Sequence, residues 1–172
     1  MNFIDEFKTE VMHWVISNGF TLVEDVQVSA EYTYHVDNHI INMGINSHEN
    51  IGAWYEAFLV NLGCEYTDIP EYILCFLHEL GHSQTIYDFS DQDLKWCRLM
   101  KDFTHDIEDY HESVNKYWNV ADELAANKWA VEFINNHVDQ VIALWKIFDK
   151  NWETIRKDAV VNFVVNRLGD RI

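Results

Sequence analysis

The chain is predicted to adopt an α+β fold, mostly helical, with a small antiparallel sheet of about three strands and roughly six to seven helices. Three features carry this. Apolar residues recur at intervals of three and four over most of the length, as they do in helices that bury one face. Between residues 20 and 44 that rhythm stops, and Val26, Val28, Tyr32, Tyr34, Val36, Ile40 and Ile41 supply the β-branched and aromatic side chains that suit pleated strands. The 172 residues include one proline and six glycines, too few for a linker, so residues 1–172 read as one domain with a sizeable core.

Taken in order, Ile4, Phe7, Val11, Trp14 and Val15 form the buried face of a first helix, which Ser17-Asn18-Gly19 closes with a glycine cap. In the strand region Asp37-Asn38 reads as a turn, and residues 38–44 as the strand nearest the functional cleft. His35 and His39 read as surface residues. Residues 47–62 are amphipathic, with Ile51, Trp54, Tyr55, Phe58, Leu59 and Leu62 on one side and Gly63 after them, and would pack on the core or wall a cleft. Asp68 is placed as an N-cap, with Glu71 completing a capping box, for a helix that is apolar almost all round through Tyr72, Ile73, Cys75, Phe76, Leu77 and Leu80. A further helix starts at Ser90, with Leu94, Trp96, Cys97, Leu99, Met100 and Phe103 apolar. The acidic segment 104–117 has no clear rhythm and reads mainly as a solvated face. A helix around Glu123 follows, then two amphipathic helices over 138–148 and 152–168 that end at Gly169.

The apolar helix contains Leu77-His78-Glu79-Leu80-Gly81-His82, an H-E-x-x-H motif. Residues four apart on a helix differ by about 40° in rotation and roughly 6 Å along the axis, so His78 and His82 can present imidazoles to one ion. Buried histidines need partners, either a metal or hydrogen bonds in the core. A catalytic zinc takes three protein ligands and a water, and Glu79 is placed to accept that water's proton. Gly81, between the ligands, admits close approach of a neighbouring backbone. A third ligand belongs on another element, and Asp122-Glu123-Leu124-Ala125-Ala126-Asn127-Lys128-Trp129-Ala130 offers Glu123, with small alanines for close helix packing. Asn127, one turn on, can hold a ligand in orientation. On its own, an acidic helix residue such as Glu123 has a solvated role as its ordinary reading.

Together, His78-Glu79-Leu80-Gly81-His82 and the segment from Glu123 to Ala130 resemble the ImmA/IrrE family of zinc-dependent metallopeptidases, found in phages, mobile elements and bacterial stress systems. The second segment resembles that family's E-x-x-A-N-x-F-A pattern, with Trp129 in place of Phe. The resemblance implies a zincin-like core, one zinc ion held by His78, His82 and Glu123, and Glu79 as general base. It implies hydrolysis of a peptide bond in a specific protein, with a transcriptional repressor as one candidate. The family's three-stranded sheet maps loosely onto residues 20–44, and the resemblance extends from about Phe3 to Asn136. An extra helix between residues 47 and 68 and a longer, acidic stretch from 88 to 118 depart from it, and both would reshape the substrate groove. Tyr110, His111 and Tyr117 are the candidates for stabilising an oxyanion. The competing reading keeps the zinc scaffold as a catalytically silent interaction or regulatory protein, and a third is an acidic helical scaffold without metal.

Twelve Lys and Arg stand against 29 Asp and Glu, a formal charge of −17 that repels phosphate backbones and argues against direct nucleic-acid binding. Family members often carry a helix-turn-helix module; no room for one is left here, so a link to gene regulation would run through a protein partner or substrate. Cys64, Cys75 and Cys97 are odd in number and form no C-x-x-C pair, as expected in a reducing cytosol, with Cys75 reading as a small apolar residue. The acidic N-terminus lacks signal-peptide character, and no apolar run reaches membrane-spanning length. A cytoplasmic protein of a bacterium or a phage-infected cell is expected.

Overall fold

The computed structural model describes residues 3–45 and 52–169; the side chains at 52–54, 156 and 158–169 are outside the described set. Its elements are α1 (Phe3–Ser17), β1 (Asp25–Ser29), β2 (Thr33–His35), β3 (Ile40–Gly44), α2 (Gly52–Asn61), α3 (Glu71–Thr85), α4 (Asp91–His105), α5 (Tyr110–Trp118), α6 (Ala121–Asn136) and α7 (Val138–Gly169). The α+β, mostly helical class is as predicted. The start of the expected helix over 47–62 lies partly outside the described residues.

The core forms where the predicted faces meet. Phe7, Val11, Trp14 and Val15 of α1 are buried, as are Phe76, Leu77 and Leu80 of α3 and Phe148 and Trp152 of α7. Phe7 meets Phe148 edge-on at 5.1 Å between ring centroids, and Phe148 meets Phe76 at 5.7 Å, which joins three helices through aromatic contacts. Each such ring, fully buried, contributes on the order of 1.5–3 kcal/mol relative to exposure. The Trp14 indole keeps its N–H satisfied by donating to the Gln140 carbonyl at 2.9 Å. Gly19 and Gly63 both have positive φ, 83° and 94°, and close α1 and α2 as glycine caps.

The sheet departs from the expected pairing. Its strand order is β1-β3-β2, with β3 central: β2 runs antiparallel to β3, but β1 pairs with β3 in parallel, Val26 opposite Ile41 and Val28 opposite Met43. The sheet is therefore mixed. Residues 38–44 were expected nearest the cleft, yet β3 is interior, and the edge strand β2 faces the pocket. The alternation of side chains fixes which face of a strand is buried but not its place in the order.

Two helix boundaries also differ. Asp68 has a positive φ of 69° and is not a cap; Pro70 occupies the N-cap of α3 with no side-chain capping bond, and its carbonyl accepts from the Ile73 and Leu74 amides. The two C-terminal helices are one continuous α7. The polar Asp149-Lys150-Asn151 reads as a break, but Asn151 is buried and its side chain donates back to the Ile147 carbonyl within the helix. Finally, α4 does open at Ser90, whose hydroxyl accepts from the Asp93 amide while the Asp93 carboxylate accepts from the Ser90 amide, a complete capping box.

Candidate metal centre

The two motif helices, α3 and α6, lie against each other at Gly81. A Cβ placed there would sit 2.5 Å from the Ala126 carbonyl oxygen, so only glycine permits the approach. That closeness delivers Glu123 of α6 to the histidines of α3. The Glu123 Oε2 lies 3.0 Å from His78 Nε2, and its Oε1 lies 3.5 Å from His82 Nε2. The histidine rings stand nearly perpendicular with centroids 4.7 Å apart. One donor atom from each of the three residues falls within 4.8 Å of the others, so His78, His82 and Glu123 form a cluster able to hold a metal ion.

Asn127, fully buried, sets the orientation of His78. Its Oδ1 lies 2.9 Å from His78 Nδ1 and 2.6 Å from the Tyr55 hydroxyl, which donates to it. An amide oxygen only accepts, so His78 carries a proton on Nδ1; Nε2, which donates to Glu123 in the metal-free protein, is the nitrogen that faces a metal once that proton is lost. The Asn127 Nδ2 has no hydrogen-bond partner among the described residues. An unsatisfied buried donor is destabilising by about 1–3 kcal/mol, a burden expected of a residue kept for its site.

The donor chemistry fits a divalent cation. Glu79, Asp122 and Glu123 are all buried. Against these three carboxylates stands one ammonium, Lys101, which pairs with Asp122 Oδ2 at 2.6 Å and with Glu123 Oε1. With the imidazoles neutral, as metal ligands are, a charge of +2 offsets this excess where burial makes imbalance unfavourable, and two imidazoles with a carboxylate are ligands that zinc accepts. Burial alone would raise the Glu123 pKa, but hydrogen bonds and charge from His78 and His82 hold it far below the usual carboxylate range. Burial pulls the His78 pKa down, and the contacts with Glu123, Glu79 and Asn127 outweigh it and raise it. Lys101 is likewise raised: desolvation opposes its charge, and the Glu123 carboxylate more than compensates.

The cluster opens into a cavity of about 500 Å³ walled by α3, β2, α4 and α5. Glu79 lines it beside the histidines. Of the three oxyanion candidates only Tyr117 does, with the Lys101 ammonium 5.6 Å from the centre of its ring. Tyr110 and His111 are exposed and outside the lining, because they begin α5 at its far end. Cys75, read as a small apolar residue, reaches the cavity wall, and burial raises its thiol pKa. His35 and His39 are apart from the cluster; the Tyr34 hydroxyl contacts His39 Nδ1 at 2.7 Å, and burial pushes the Tyr34 pKa up to about 12.

Lys101 and Arg98 line the cavity without having been singled out, whereas Tyr55, from the segment read as packing on the core or walling a cleft, lines it too. The signal for Lys101 was present: Cys97, Lys101 and Thr104 share the inward stripe of α4, and a cation at such a position needs an anionic partner. Comparison of the chain with protein-family models, with curated proteins and with solved structures gave no match. No helix among the described residues is long and apolar enough to cross a membrane.

Proposed function

We propose that this chain is a zinc-dependent metallopeptidase of the ImmA/IrrE type with a zincin-like core, cutting a peptide bond in a specific protein substrate such as a repressor. The observation that carries the reading is Glu79 lining the same cavity as the buried His78, His82 and Glu123 donors. His78, His82 and Glu123 would hold the ion, which when bound supplies a Lewis acid that polarises a carbonyl and acidifies water. Glu79 accepts a proton from the attacking water and returns it to the amide nitrogen as the C–N bond breaks. Tyr117 brings a hydroxyl to bear on the charge that develops on the carbonyl oxygen. The edge strand β2 offers unpaired backbone groups to an extended substrate.

One observation favours the catalytically silent alternative: Lys101 already neutralises part of the Glu123 carboxylate. A peptide library incubated with the zinc-loaded protein and read by mass spectrometry separates the two. The proposal expects cleavage by the parent, a fall of at least about a hundredfold in Glu79→Gln, and equal metal content in both. Undiminished cleavage by Glu79→Gln would remove the assigned base, and no cleavage by either protein would favour the silent scaffold.

A further inference from the structure

We propose that the groove between α4 and α5 docks an amphipathic helix of a partner protein, one whose polar face carries lysine or arginine. While α4 turns Cys97, Lys101 and Thr104 inward, it leaves Trp96, Met100 and Phe103 to solvent, with 57, 49 and 57% of their surfaces exposed. These three side chains line a second cavity, of about 760 Å³, whose floor includes Cys97 and Val120. Contiguous exposed aromatic and methionine side chains of this size mark interaction surfaces rather than ordinary solvent-facing positions.

Shape and charge identify the occupant. Trp96, Met100 and Phe103 stand at i, i+4 and i+7 and span about 10 Å, two helical turns, the spacing at which a second helix seats its own anchors. Around them the charge is mostly negative. Asp93 is in the lining, and Asp102, Asp106, Glu108 and Asp109 are exposed on the adjoining α4 and loop, where they outnumber the exposed Lys95 and Arg98 of α4. The cation in the lining, Lys116, is paired with Glu112 at 2.7 Å. Phosphate backbones, anionic lipid surfaces and a second copy of a chain with charge −17 are all repelled by such a rim. A helix with an apolar stripe and basic flanks gains both apolar burial and electrostatic attraction. Lys101 and the metal-ligand cluster are outside the lining of this groove, so this docking does not depend on metal or on peptide hydrolysis.

Calorimetric titration of the full chain with two synthetic helices of about 14 residues tests this; they share a leucine face and differ in carrying lysines or glutamates. The lysine helix is expected to bind and the glutamate helix not. The double variant Trp96→Ser, Phe103→Ser, altered only at exposed positions and checked for unchanged circular dichroism, is expected to weaken binding at least about thirtyfold. Failure of the lysine helix to bind would overturn the proposal. So would equal binding by the double variant, which would reduce the effect to general attraction by an acidic surface. Sedimentation showing a dimer that the double variant dissolves, or Trp96-dependent binding to neutral phosphatidylcholine vesicles, would overturn it in favour of a second copy or a lipid surface.

Discussion

At the scale of single residues the centre depends on contacts that fix protons as much as on the donors themselves. Asn127 holds His78 in the tautomer that frees Nε2, so Asn127→Ala should lower zinc affinity about 10–100-fold with the fold retained, measured by competition with a chromogenic chelator; unchanged affinity would make Asn127 a packing residue only. The ion pair between His78 and Glu123 also sets a pH dependence for the metal-free protein. Glu123 has a folded pKa below its ordinary 4.5, so its contribution is present above that value and is lost as pH falls through the lowered one. His78 has a folded pKa above its ordinary 6.5, so its contribution is present below 6.5 and is lost as pH rises through the raised value. The stability difference between parent and Glu123→Gln, from urea unfolding without metal, should be larger at about pH 5.5 than at about pH 8.5. A difference that grows with pH would contradict this account of the pair.

At the scale of elements, the packing of α3 on α6 makes a site from two segments 41 or more positions apart. Gly81→Ala tests that packing. Helix propensity alone would favour alanine by about 1 kcal/mol. The new methyl, however, meets the Ala126 carbonyl, and forcing a backbone apart in a packed interface costs about 1–3 kcal/mol. The variant should therefore melt lower and retain less zinc after dialysis; a variant that melts higher with full zinc would show that the helices separate freely. The element α4 works differently, since it gives one face to the metal centre through Lys101 and exposes another at Trp96 and Phe103.

For the molecule as a whole, what could be read beforehand followed from short-range geometry. His78 and His82 are one turn apart on a single helix, and the small residues Gly81 and Ala126 announce a close crossing that brings in Glu123. The long-range choices were not legible. Nothing local distinguishes β2 from β3 as the edge strand, and in α4 the exposed stripe of Trp96, Leu99, Met100 and Phe103 is more apolar than the inward stripe that carries Lys101. Periodicity therefore indicates the wrong face as the buried one, because ion pairing with Glu123 and Asp122 decides the orientation. The three buried carboxylates outnumber the ammonium that faces them, an excess at the centre that a bound divalent ion would offset. The most direct measurement is zinc per chain by elemental analysis, on the parent and on Glu123→Ala, after exposure to zinc at neutral pH and removal of the excess. The account predicts about one zinc in the parent and a large loss in the variant. No zinc in the parent, or equal zinc in both, would contradict a centre built from His78, His82 and Glu123.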